Sequence, residues 1–162
     1  MKGSSTKANI IDAITLEKLN LIQNKTLQSV ICYLWLNQVN PKETIDVIDA
    51  VEFQFTDNTN IVLSGNESQE GIQVIEYNFD EQKAYLEKEF NGKIKIYRVV
   101  ANNTEMWKNV INTKLERIRL TKDQESDNYL CDEIVFEFEN QEMRLIQIHP
   151  IDGLILDYYE EI

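Results

Sequence analysis

The sequence predicts an α+β fold made of two related halves, each a short helix followed by an antiparallel strand meander. Three observations carry this expectation. Apolar and polar residues alternate in several short runs, the runs recur in the same order in both halves, and each half opens on a segment with helical spacing. In Val51-Glu52-Phe53-Gln54-Phe55 and Ile134-Val135-Phe136-Glu137-Phe138 the two phenylalanines stand in the same phase. Asn60-Ile61-Val62-Leu63 then answers to Glu142-Met143-Arg144-Leu145, and Glu70-Gly71-Ile72-Gln73-Val74 to Asp152-Gly153-Leu154-Ile155-Leu156. A period of two sends the aromatics to one face of a strand and the acids to the other.

The elements follow in chain order. A helix is predicted over about 11–23, with Ile11, Ile14, Leu19 and Ile22 as its apolar positions. Strands follow at about 27–36, 48–56, 60–65 and 71–79. The turn-rich stretches Thr56 to Thr59 and Glu139 to Gln141 join neighbours as hairpins, and Gly71 and Gly153 are expected to supply positive φ at turns. Asp80 to Phe90 reads as a helix ended by Asn91-Gly92. Lys93 to Val100 alternates as a strand, and Asn103 or Thr104 caps a short helix carrying Met106, Trp107, Val110 and Ile111. The last strands fall at about 114–121, 132–139, 142–149 and 154–160. The chain reads as one domain over 1–162, with half 1 at about 10–79 and half 2 at about 93–162. A helical connector at 80–92 joins them, and residues 1–9 are predicted to be disordered.

Charge is distributed in blocks. Residues 43–82 carry ten acids and no Lys or Arg, and residues 123–162 carry twelve acids and one Arg. Between them, residues 83–122 carry ten basic residues and four acids, within a chain of net charge −12. Phosphate binding needs clustered Lys and Arg over a whole face, so nucleic acid is a poor partner for this surface. A basic protein is electrostatically matched to it. Within the fold, Lys93, Lys95, Arg98, Lys114, Arg117, Arg119 and Lys122 are expected to lie across from strand acids such as Glu52, Glu76, Glu137, Glu139 and Asp157.

Residues 1–9 show no secretory pattern and no apolar run reaches membrane-span length, so a cytoplasmic protein without a membrane partner is expected. Cys32 lies in the apolar run Val30-Ile31-Cys32-Tyr33-Leu34 and reads as a buried free thiol, which fits a reducing compartment.

Catalytic patterns are sparse. His149 is the single histidine, at a strand end before Pro150. As a general base with Asp132, Glu133 or Asp152 nearby, it offers the alternative reading, an enzyme or small-ligand binder with a pocket between the halves at His149 and Asp152. Cys131 precedes Asp132-Glu133, and neighbouring carboxylates raise a thiol pKa, so it reads as structural. Asp123 to Asp127 begins like a calcium loop, yet its sixth position is Asn128 and its twelfth Ile134. Asp46, Asp49 and Glu52 form a second, incomplete acidic cluster. No phosphate loop, dinucleotide fingerprint or nucleophile elbow occurs, and no cofactor is implied.

The run of Trp107, Val110 and Ile111, then Leu115 and Ile118, then Phe136-Glu137-Phe138-Glu139-Asn140 resembles small bacterial proteins of duplicated β type. In size and acidity it is similar to immunity proteins, which neutralise a co-encoded toxin. The resemblance implies a fold and a basic partner; its motifs are structural and carry no catalytic residues. The expected function is therefore non-enzymatic binding of a basic protein, with Glu67, Glu70, Glu137, Glu139 and Tyr159 as partner-binding residues. Tyr and Trp anchor interfaces often, which is why Tyr159 joins the acids. The sequence carries no signal for an oligomeric state.

Overall fold

The computed structural model describes residues 9–38, 42 and 45–160. All but Asn9 of the segment expected to be disordered lies outside them. Among the described residues two helices, α1 (Ala13–Ile22) and α2 (Phe79–Phe90), accompany nine strands. The strands are β1 (Leu27–Asn37), β2 (Ile45–Phe55), β3 (Asn60–Gly65), β4 (Ile72–Ile75), β5 (Ile94–Val100), β6 (Leu115–Arg119), β7 (Glu133–Phe138), β8 (Met143–His149) and β9 (Gly153–Tyr158). All pair antiparallel in one curled sheet.

The sheet contains two meanders. One has the order β5-β1-β2-β3-β4, the other β6-β7-β8-β9. They meet twice. Ile48 of β2 pairs with Leu154 of β9, and Thr26 bridges to Lys114 just ahead of β1 and β6. Around that bridge the Leu27 N–H donates to the Thr113 carbonyl at 3.0 Å and the Leu115 N–H to the Lys25 carbonyl at 2.8 Å. The pairings therefore close a circuit, β1-β2-β9-β8-β7-β6, around one core.

The phase of the strands decides what fills that core. Phe53 and Phe55 from β2 and Phe136 and Phe138 from β7 point inward and are buried. The Phe53 and Phe136 rings lie 4.9 Å apart, and Trp107 meets Phe53 edge-on at 5.6 Å. Each such pair adds about 0.5–1.5 kcal/mol beyond its burial. Helix α1 packs Leu16, Leu19 and Ile22 against the same core. Its N-cap is Asp12, whose carboxylate accepts the Thr15 N–H at 2.7 Å.

A second, smaller core forms on the opposite face of the first meander. There α2 buries Leu86 against Ile31, Tyr33, Ala50, Val62, Ile94 and Ile96. Asn78 caps α2 by accepting the Glu81 N–H at 3.0 Å, and Asn91 ends it in the left-handed region at φ 50°.

Three expectations are corrected. Residues 103–111 form a succession of turns instead of a helix. Local turn bonds run through the segment, Arg144 captures the Met106 carbonyl, and just past it the Asn112 N–H donates to the Leu27 carbonyl at 2.7 Å. A helix thus opens the first meander and turns open the second. Gly71 does not take positive φ; Gln69 does, at 59°, in the same turn. The strand expected over 71–79 stops at Ile75, because Tyr77 turns back over the sheet to reach Asp49.

Candidate functional site

Three segments converge at one end of the molecule. They are the β3–β4 loop, the residues entering β7, and the β8–β9 hairpin. The Ile72 N–H donates to the Cys131 carbonyl at 2.8 Å, and the Ile148 N–H to the Asp132 carbonyl at 3.2 Å. This convergence brings Glu67 and Glu70 together with His149 and Asp152, and all four side chains are exposed. Asp132 and Glu133 belong to the same end, and Ile151 stands 78% exposed at the hairpin tip. Beside the tip lies a groove of ≈ 390 Å³ whose walls include Trp35, Ile48, Asp49, Gln69, Ile148 and Ile151.

The hairpin is built by its own residues. His149 Nδ1 accepts the N–H groups of Ile151 and Asp152, both at 3.2 Å. Two donated bonds require a lone pair on Nδ1. The approach of Asp152 Oδ2 at 3.4 Å therefore becomes an ion pair only when the ring is protonated. Gly153 takes φ 73°, and a Cβ there would stand 2.7 Å from the Ile48 carbonyl oxygen. That close approach lets β9 pair with β2 at the groove's edge.

The other sequence-predicted residues lie elsewhere. Glu139 and Tyr159 sit at the far end of β8 from His149, where the Tyr159 N–H donates to the Met143 carbonyl at 3.3 Å. Glu137 points away from both ends and is held by arginines. Arg117 donates Nε at 3.1 Å and Nη2 at 2.9 Å, and Arg119 Nε bonds the same carboxylate. Arg117 chiefly holds the Glu137 carboxyl below its usual range, against a burial that pushes it up.

Two polar clusters on the first meander have no clear mark in the sequence. Glu52 is 8% exposed and accepts from Tyr33 Oη at 2.7 Å, Asn60 Nδ2 at 2.9 Å and Gln54 Nε2 at 3.1 Å. Burial pushes its carboxyl up, but these bonds and nearby Arg98 outweigh it and leave the carboxyl lowered. Asp49 accepts from Tyr77 Oη at 3.3 Å, and here burial wins and the carboxyl is raised. The Trp35 indole N–H is buried beside it without an aligned hydrogen bond, though close enough to favour the carboxylate. The one sequence signal was the Asp46, Asp49, Glu52 spacing. The structure satisfies the last two separately, and Asp46 is exposed.

Other chemistry is muted. Burial pushes both Cys32 and Cys131 up to about 11, and both are free thiols. Among the described residues no three His, Cys, Asp or Glu side chains group to hold a metal, and no helix is long and apolar enough to cross a membrane. Comparison with known families, curated proteins and solved structures finds no match.

Proposed function

We propose that the chain is a non-enzymatic protein-binding domain whose acidic end takes a basic partner, as an immunity protein takes a toxin. The observation that carries this reading is that the segments bearing the exposed Glu67, Glu70, Glu133 and Asp152 converge at the end where Ile151 stands exposed. An apolar anchor within a charged rim is how interfaces combine burial with selectivity. The carboxylates speed encounter with a cationic surface, and Ile151 slows release. The two meanders read as a duplicated unit on the same proposal, since β1-β2-β3-β4 and β6-β7-β8-β9 share a strand order and Phe53 and Phe136 share a phase.

The test is capture from lysate followed by association kinetics of the captured protein at several salt concentrations. The expected partner is basic, its association slows with salt, and the Glu67→Gln, Glu70→Gln, Asp152→Asn triple variant slows it further. Ile151→Ser is expected to raise the dissociation rate. Glu139→Gln, at the opposite end, is expected to change neither. A partner bound equally by every variant would overturn the reading.

A second reading rests on the groove beside Trp35 and Asp49, which is of small-ligand size. A thermal-shift screen with wild type, Asp49→Asn and His149→Ala tests it. A ligand whose stabilisation is lost in either variant would favour this reading over the first.

A further inference from the structure

The first meander ends on an open edge. Among the described residues β5 pairs only with β1. The register fixes which backbone groups are used. The Ala101 N–H donates to the Val30 carbonyl at 2.8 Å and the Lys93 carbonyl accepts from the Gln38 N–H at 2.7 Å, so the odd-numbered residues of β5 face β1. The N–H and C=O groups of Ile94, Ile96, Arg98 and Val100 therefore point away from the sheet.

This edge is partly roofed. Phe79, Lys83 and Glu87 form one stripe of α2 and overhang β5, enclosing a groove of ≈ 430 Å³. Ile94 and Ile96 supply its apolar floor. Its charge is opposite to that of the molecule as a whole. Lys83, Lys95 and Arg98 line it against the single carboxylate of Glu87, and Lys93 adjoins it, in a chain of net charge −12. Lys83, Lys93 and Lys95 enter none of the ion pairs among the described residues. On the other face of β5, Tyr97 and Val99 are 46% and 41% exposed.

We infer that the β5 edge is a docking site for an extended acidic segment of a partner protein, which adds as a further strand beneath α2. Strand addition satisfies the outward backbone groups, and side-chain alternation supplies the selectivity. A residue opposite Ile94 or Ile96 shares their face and is apolar. A residue opposite Lys93 or Lys95 shares the open face and is acidic. The segment thus alternates carboxylates with apolar side chains. A second copy docking β5 against β5 would bring two sets of Lys93, Lys95 and Arg98 onto one short edge, and like charges crowded across a strand pair repel. This site is separate from the acidic end and does not rest on the function proposed for it.

The test uses the full chain and a fluorescein-labelled peptide alternating Glu with Val, read by anisotropy, with a peptide of the same composition in blocks as control. The alternating peptide is expected to bind and the block peptide to bind roughly tenfold more weakly. Lys83→Glu with Lys95→Glu is expected to weaken binding roughly tenfold or more, and Glu67→Gln with Glu70→Gln to leave it unchanged. Amide exchange by NMR reads the backbone directly. The Ile94, Ile96 and Arg98 amides are expected to exchange fast in the free protein and to slow with peptide, and the Lys95 and Tyr97 amides to be slow in both. No binding, or binding that leaves the even-numbered amides unprotected, would overturn the inference. Protection of those amides without peptide, together with a dimer in sedimentation, would assign the edge to a second copy and overturn it too.

Discussion

Tyr33 donates its hydroxyl to Glu52 at 2.7 Å on the face of the sheet that α2 covers. The pair shows how a strand acid survives burial: the carboxylate is met by donors from its own strand, from β1 and from β3, with no direct ion pair needed. A carboxyl lowered in the fold stabilises it at pH values above the unfolded value near 4.5. That contribution is lost as pH falls through the folded value. Wild type is therefore expected to lose stability on acidification below about pH 4.5, and Glu52→Gln to lose less over the same window. Tyr33→Phe is expected to cost about 1.5–3 kcal/mol at pH 7, the usual worth of a hydrogen bond to a charged group. Urea unfolding of the three proteins between pH 3 and pH 7 checks both outcomes.

Asp49 carries the opposite sign. Burial raises its carboxyl, so the charged form is less at home in the folded state than in the unfolded one. Above the raised folded value this opposes folding, and the opposition fades as pH falls through that value towards the ordinary one. Asn at this position keeps an acceptor for Tyr77 and removes the charge. Asp49→Asn is expected to match or exceed wild-type stability at pH 7 and to lose that advantage in acid. Thermal unfolding at pH 7 and pH 4 reads the difference, and a variant markedly less stable at pH 7 would contradict it.

Local pattern and tertiary closure were not equally legible in the sequence. Helix α2 was readable almost to the residue, because Asn91-Gly92 supplies both the left-handed stop and the break. Strands β3 and β7 were readable from their strand-sized apolar runs, Ile61 to Leu63 and Ile134 to Phe136, bounded by turn residues, and β8 from its alternation, which buries Arg144 and Ile146. The circuit was not, since Thr26 with Lys114 and Ile48 with Leu154 pair across most of the chain with no local mark. The helix expected at 103–111 failed for a related reason. Trp107 and Val110 have helical spacing, but Arg144 takes a carbonyl that a helix would use, and Leu27 binds the Asn112 N–H just past the segment. At the candidate site, Glu67, Glu70, His149 and Asp152 were all named from sequence. Their meeting at one end depends on bonds to Cys131 and Asp132 that only the fold reveals.

Arg144 is 2% exposed, an unusual place for a cation. It donates Nε to the Met106 carbonyl at 2.7 Å, Nη1 to the Met143 carbonyl at 2.8 Å and Nη2 to Glu142 at 2.9 Å. Its guanidinium also lies 4.6 Å from the Tyr158 ring centre. Lysine offers one ammonium where the fork serves three acceptors. Arg144→Lys is expected to destabilise by about 2–4 kcal/mol, with Arg144→Ala no better because both leave carbonyls unmatched. Chemical denaturation measures the loss. The amides of residues 104–111 are expected to exchange faster in both variants, since the turn segment loses its tether.

Gly153 gives a sharper test of how the meanders are joined. The residue sits at φ 73°, and an added Cβ would meet backbone, the Ile48 carbonyl, at 2.7 Å. Neither strain can be relieved by a side-chain rotation. Gly153→Ala is therefore expected to cost about 1–3 kcal/mol. The cost should fall on the β2–β9 contact, which rests on the single pairing of Ile48 with Leu154. Native-state exchange is expected to show faster opening at Ile48 and Leu154, while the β1–β2 ladder keeps its protection. Uniform loss of protection over both meanders would mean instead that the junction opens only with the whole fold, making the closed circuit one cooperative unit.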